Sequence, residues 1–279
     1  MKVFMLFSAL LAVVSGLSTP NGQTRVPENP STSNVQTVFP IPTEVDRKVT
    51  FPLSNKAAVS MGMLLAFNSG AVNSATLSGL LAGGTKMGSA AVTGAWTNSA
   101  IGAAGALKGA SAAAALFNAK CILSYMTGAI ISGFVIPEPK AFEVDVKRTV
   151  PLFGIAATLL ATAAVFAKAS NIKYLYFCCL ANGLQNSFTS TLTANLCRTT
   201  HFTGITSDMG TFIGQVLAGN KANAGRLKSI AMIAASFWTG GFLSFGLTKA
   251  FGFKVLAGAA MVHVAFAAFV GLKSKAKTA

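Results

Sequence analysis

Charge is what this sequence has least of. Only 10% of its 279 residues are Asp, Glu, Lys or Arg, against about 25% in an ordinary soluble domain, and only 7 are acidic. A chain so poor in charge cannot cover itself with a water-facing surface, and its mean hydropathy of +0.59 says the same. Metal-binding patterns are missing too. Cys121, Cys178, Cys179 and Cys197 form no CxxC, and none pairs with His201 or His263 at zinc spacing, so no metal and no other cofactor is expected. HExxH, GxSxG, P-loop and GxGxxG motifs are absent, and acid and base groups are scarce, so no enzymatic activity is expected.

The formal net charge of +15 raises nucleic acid as a partner, but the Lys and Arg residues stand singly or in small groups between apolar runs. No basic stripe is interleaved with aromatics. Nucleic-acid binding is therefore not expected, and the cations read as headgroup contacts and orientation signals.

What is present is a series of runs that lipid could face. A helix needs about 20 apolar residues to cross the hydrocarbon core, and six runs reach or approach that: 57–85, 121–137, 149–167, 174–197, 229–248 and 255–272. The fold expected is an all-α polytopic membrane bundle of about six transmembrane helices, with the lipid bilayer as its main partner and a homo-oligomer left open.

The N-terminal region is different. Lys2, an apolar stretch over 3–14 and the small residues of Val14-Ser15-Gly16 make 1–16 a secretory signal peptide too short to span. Residues 17–50 are polar and rich in Pro, Ser and Thr, which predicts a linker or a transit segment; 51–275 is then the membrane domain. With six spans, thirteen Lys and Arg residues fall on the side of Lys56 and seven on the side of Lys168, which puts both mature termini on the cytosol-like side. A cleaved secretory signal would leave the N-terminus on the opposite side. Import in two steps, through the secretory route and then into a plastid or similar organelle, reconciles the two. An uncleaved signal-anchor or a weak charge bias is the alternative.

Compared with itself, the chain matches in three places. SGAVNSAT (69–76) answers NGLQNSFT (182–189), VTGAWTNS from Val92 answers FTGITSDM from Phe202, and SYMTGAIIS from Ser124 answers SFWTGGFLS from Ser236, all at offsets of 110 to 113. Order and spacing persist, which predicts an internal duplication with repeats at 57–169 and 171–274. Each half holds a long apolar run, a shorter Thr-Gly segment (89–107 and 199–218), then two further runs. If the Thr-Gly segments do not cross, each half has three spans and the repeats are inverted; if they do, the halves are parallel. Asp208, the Thr-Gly pairs and the many small residues favour broken or re-entrant helices. Gly79xxxGly83, Gly84xxxGly88 and Gly210xxxGly214 predict close helix approach.

Polar side chains recur on one helical face in the first run of each half: Ser69, Asn73 and Thr76, then Asn182, Asn186 and Thr189, with Gln185 and Thr193 extending the second. Carboxamides in hydrocarbon must turn toward the bundle interior to satisfy their donors and acceptors. Either they only bond helices together, or Asn73, Gln185 and Asn186 line a central solute site. Asp208 is the one acid at membrane depth, and such acids are costly. It could cap a short helix, or, with Thr203 beside it, bind a coupling cation or proton, Asn98 holding the equivalent place in the first half. His201 and His263 read as interfacial or partly buried histidines, His201 being a weak further candidate.

The stretches LANGLQN (180–186) and HFTGITSDM (201–209) resemble the GxQN and TG signatures of the YoaK-like family, small membrane proteins of unknown function. The resemblance extends over about 59–272 and is looser in the first half, where the family usually has Asp at the place of Asn73 and Asn at that of Ala95. It implies a six-span fold and a suspected transport role, without a substrate. The function expected is that of a small-solute transporter or permease; the alternative is a structural or assembly factor of a membrane complex.

Overall fold

A computed structural model describes residues 50–278. These belong to the second of the chain's two compact units, Val49–Ala279. The signal peptide expected at 1–16 and the polar segment up to residue 49 lie outside the described residues.

The described chain runs β1 (Thr50–Pro52), α1 (Asn55–Leu77), a 3-10 turn (Ala82–Gly84), α2 (Thr93–Leu107), α3 (Ala113–Val135), β2 (Glu143–Asp145), α4 (Val146–Lys168), α5 (Tyr174–Leu192), α6 (Phe202–Leu217), α7 (Ala224–Phe251) and α8 (Lys254–Thr278). The two short strands form an antiparallel ladder with Phe51 opposite Val144, a feature the sequence did not announce. Ser54 caps α1 through its hydroxyl and Asp145 caps α4 through its carboxylate, so the ladder is where α1 and α4 both begin.

Helix directions follow from who meets whom. The ladder fixes one end of the bundle. At that end α3 finishes just before β2, α5 finishes where the carbonyl of Leu192 accepts the N–H of Phe142, and the start of α7, around Arg226, shares a groove with Lys56 of α1. Both α1 and α7 therefore run away from the ladder, while α3 and α5 run toward it. Helices α4 and α8 are antiparallel. Phe153, early in α4, stacks on Phe266 of α8 at 5.3 Å, whereas Lys168, at the end of α4, lies over Phe253 just before α8 begins.

Since α1 leaves the ladder end and α3 returns to it, α2 between them makes no net crossing; the same holds for α6 between α5 and α7. With 15 and 16 residues these helices are only about 22–24 Å long. Each starts beside buried residues, Ser89 and Ala90 or Thr199 and Thr200, and ends at the surface, where Leu107 and Leu217 are both 84% exposed. The two ends are built alike. Gly109 and Gly219 adopt φ of 89° and 90°, and the residue after each bonds back to the carbonyl of Gly105 or Gln215, a helix stop that needs a left-handed residue.

Among the described helices, α3, α4, α7 and α8 are long and apolar enough to cross a membrane, and they expose large apolar side chains such as Phe134, Val165, Trp238 and Met261. Of the six runs expected to span, those of α1 and α5 are not apolar enough by this measure; they are the inner helices, and their polar faces meet protein, as their carboxamides required. The runs also end early, α1 at Leu77 rather than residue 85 and α5 at Leu192 rather than residue 197. The Thr-Gly pairs lie in the first turns of α2 and α6, so they open helices rather than break them.

The expected glycine motifs are corrected as well. Gly79, Gly83 and Gly84 have positive φ in the turn after α1, and Gly210 and Gly214 face open space. Close helix approach comes from four other glycines. A Cβ on Gly70 would collide with the carbonyl oxygen of Phe237, and one on Gly240 with that of Phe67, fixing α1 against α7. In the same way Gly183 meets the carbonyl of Tyr125, and Gly128 that of Leu180, fixing α5 against α3. Gly70→Ala and Gly183→Ala are each expected to lower the thermal unfolding midpoint in detergent, by the equivalent of about 1–3 kcal/mol. Gly246→Ala, with nothing near its Cβ, should leave the midpoint unchanged or raise it through helix propensity; equal effects at all three positions would refute the contact.

Candidate functional site

The polar face of α1 and that of α5 do the same thing to different pieces of chain. Asn73 accepts, through Oδ1, the N–H of Ala90 at 2.9 Å, just before α2. Asn186 accepts the N–H of Thr200 at 3.1 Å, just before α6. One turn on, the Thr76 hydroxyl lies 3.0 Å from the Asn73 carbonyl and 3.1 Å from Ser89 Oγ. The Thr189 hydroxyl stands in the same relation to the Asn186 carbonyl, at 3.1 Å, and to Thr199 Oγ1, at 3.4 Å. Each non-helical entry is thus tied to the inner helix that precedes it, α1 or α5, by equivalent side chains.

Between α5 and α1 runs a buried seam. Gln185, 2% exposed, directs Nε2 at Leu65 O (3.0 Å), Ser69 Oγ (2.7 Å) and Thr199 Oγ1 (3.0 Å). Asn182 donates to Ser89 Oγ at 3.1 Å. So Gln185 reaches from α5 to α1 and Asn182 from α5 to the entry of α2, and Asn73 and Asn186 flank them. The Asn73 and Asn186 side chains are half-buried, and their NH2 groups donate to no other described residue. What the cluster can offer a solute is therefore hydrogen-bond donors, with no formal charge.

Two residues singled out from the sequence stand apart. Thr203 is exposed in the first turn of α6 and Asp208 is half-buried near its middle; no hydrogen bond ties either of them to the seam. Asp208 does not cap α6, whose cap position is His201. Asn98, its counterpart, is exposed on α2.

Sequence reasoning passed over Ser89 and Thr199, which are completely buried at the heart of the seam. They sit at the same offset as Ala90 and Thr200, so the repeat itself was the signal. It also passed over Asn68, whose Nδ2 lies 3.3 Å from both Ala259 O and His263 Nε2. His263 is 1% exposed and stacks on Phe153 at 5.8 Å. No spacing rule connects residues so far apart in sequence. The cysteines lie buried with free thiols, and among the described residues no group of His, Cys, Asp or Glu could hold a metal ion.

A helical bundle with four apolar crossing helices and a polar seam along its two inner ones is the architecture of an integral membrane protein. The chain belongs to the DUF1275 family, described as Protein of unknown function (DUF1275), whose model matches residues 61–269; YoaK-like proteins are members, as the GxQN and TG stretches implied. No curated protein and no solved structure matches it.

Replacing Gln185 by Leu removes the donor that reaches Ser69 Oγ, Thr199 Oγ1 and Leu65 O and leaves the buried Ser69 hydroxyl without that partner, a loss of about 1–3 kcal/mol. Asp208→Asn and Thr203→Ala change no seam contact and should unfold within about 0.5 kcal/mol of the parent. Thermal unfolding of the purified proteins in one detergent checks both; an unaltered midpoint for Gln185→Leu would count against the seam.

Proposed function

We propose that this chain is a duplicated six-crossing membrane protein that passes a small polar solute along the seam between its halves. In this reading α1, α3 and α4 form one half and α5, α7 and α8 the other. The second half is inserted upside down, and α2 and α6 are re-entrant. Support for the inversion comes from the ladder and from the α4–α8 pair. Eight full crossings would put β1 and β2 on opposite faces of the membrane and would make α4 parallel to α8. The matched glycine contacts, helix stops and Asn-to-entry bonds support the duplication.

The observation that carries the transport reading is the twin Asn arrangement. Asn73 and Asn186 each hold the entry of a re-entrant segment with the carboxamide oxygen and keep an NH2 donor over. Inverted-repeat transporters place their sites where such interrupted helices meet, because irregular backbone there has polar groups to share. A neutral donor site suits a small solute with carbonyl, hydroxyl or carboxylate acceptors. Asp208, outside the seam, keeps the cation or proton coupling role only if α6 moves inward during the cycle.

A structural role is the second reading, and the burial of Gln185, with Nε2 set against three acceptors, favours it. A seam that serves only to hold helices has no need of access from water. The two readings separate in a thiol-labelling experiment on Asn73→Cys and Asn186→Cys, each made in a background whose four native cysteines are replaced by Ala and reconstituted into vesicles. A membrane-impermeant methanethiosulfonate reagent should modify each position, and modification from one side should slow when the opposite side is blocked. No reaction from either side, in protein that is folded, would sink transport and leave the structural reading.

A further inference from the structure

At the ladder end, the start of α1 and the last turns of α8 do not close on each other. They leave a cavity of about 430 Å³, within the roughly 300–1,000 Å³ usual for ligand sites. Its walls are apolar: Phe51 of β1, Met61 and Leu64 of α1, Phe266 and Phe269 of α8. A single cation stands over it. Lys273 Nζ lies 4.7 Å from the centre of the Phe51 ring and 5.9 Å from that of Phe269, so the ammonium of this exposed residue stands over the apolar opening. Among the described residues it forms no ion pair, whereas Arg148 pairs with Asp145.

We propose that this groove binds an anionic membrane phospholipid, one acyl chain lying against Phe266 and Met61 and the phosphate held by Lys273. The shape and the charge call for the same ligand. An apolar trough on the outer side of a bundle is filled by hydrocarbon in a bilayer, and the ladder end is where the crossing helices stop, at headgroup depth. A Lys at that depth selects negative headgroups, and among the described residues the acids of this end, Glu138, Glu143 and Asp145, are outnumbered by Lys56, Lys140, Lys147, Arg148, Arg226 and Lys273. The proposal rests on the chain lying in a membrane and not on whether any solute crosses it. Phe51 and Lys273 fall outside the segment that the family match covers, so the site joins the two margins of the membrane domain.

The test uses the full chain reconstituted in vesicles of equal phosphatidylcholine and phosphatidylglycerol, extracted in a mild detergent, with the retained lipid read by native mass spectrometry. Retention of phosphatidylglycerol over phosphatidylcholine is expected at about fivefold, the factor that corresponds to ~1 kcal/mol for one Lys. Lys273→Ala should bring the ratio to parity. Ser60→Trp, which fills the trough from an exposed wall position, should abolish retention of both lipids. Thermal unfolding of both variants checks that they fold, and Lys140→Ala, at a residue that does not line the trough, is the charge control. Equal retention of the two lipids by the parent chain, or a ratio unmoved by Lys273→Ala, would overturn the proposal; so would loss of the bound lipid to millimolar inorganic phosphate, which would make this a free-anion site.

Discussion

The constraint on which this structure depends is that backbone N–H and C=O groups inside a membrane need partners from the protein itself. A helix supplies them internally, but the chain entering α2 and α6 is not helical, and Ser89, Ala90, Thr199 and Thr200 there are buried. The bundle meets the requirement with side chains. Asn73 accepts from Ala90 and Asn186 from Thr200, and the Thr76 and Thr189 hydroxyls hold Ser89 and Thr199 alongside. Without those carboxamides the entries would have unpaired donors in hydrocarbon, at a cost of several kcal/mol each.

Everything else makes room for that arrangement. The inner helices can turn their polar faces to each other only if their other sides are covered closely, and the glycine pairs provide this by letting α7 touch α1, and α3 touch α5, at the level of the backbone. Between membrane helices there is no hydrophobic driving force, so close packing and interhelical hydrogen bonds bear the association. The outer helices then present Phe, Leu, Val and Trp to lipid. A seam of this kind is rigid where Gln185 bridges the halves and has spare donors where Asn73 and Asn186 flank it, which is why both transport and assembly readings start from the same residues.

Much of this was legible in the sequence because the constraint leaves a pattern. Lack of charge fixed the class, and the polar face of 69–76 and 182–189 marked the inner helices. The repeated offset paired Asn73 with Asn186 before any geometry was known. What was not legible depended on contacts between distant segments. Asn68 and His263 meet across almost the whole domain, and neither spacing nor periodicity carries that information. The glycines that matter, Gly70, Gly128, Gly183 and Gly240, are isolated in sequence, whereas the GxxxG motifs that stand out serve a turn or an open face. Asp208 drew notice as a rare acid, but helix position governs contact, and neither it, half-buried on α6, nor the exposed Thr203 is hydrogen-bonded to the seam.

The central claim is that the halves are inverted and that α2 and α6 return to the side they came from. It is tested most directly by side-specific labelling of single cysteines at Glu138, Ser170 and Ala222 in a cysteine-free background, with an impermeant maleimide applied to sealed vesicles. Six crossings with two re-entrant segments place Glu138 and Ala222 on one side and Ser170 on the other. If Ser170 and Ala222 label from the same side and Glu138 from the opposite one, the chain crosses eight times and the inverted architecture is wrong.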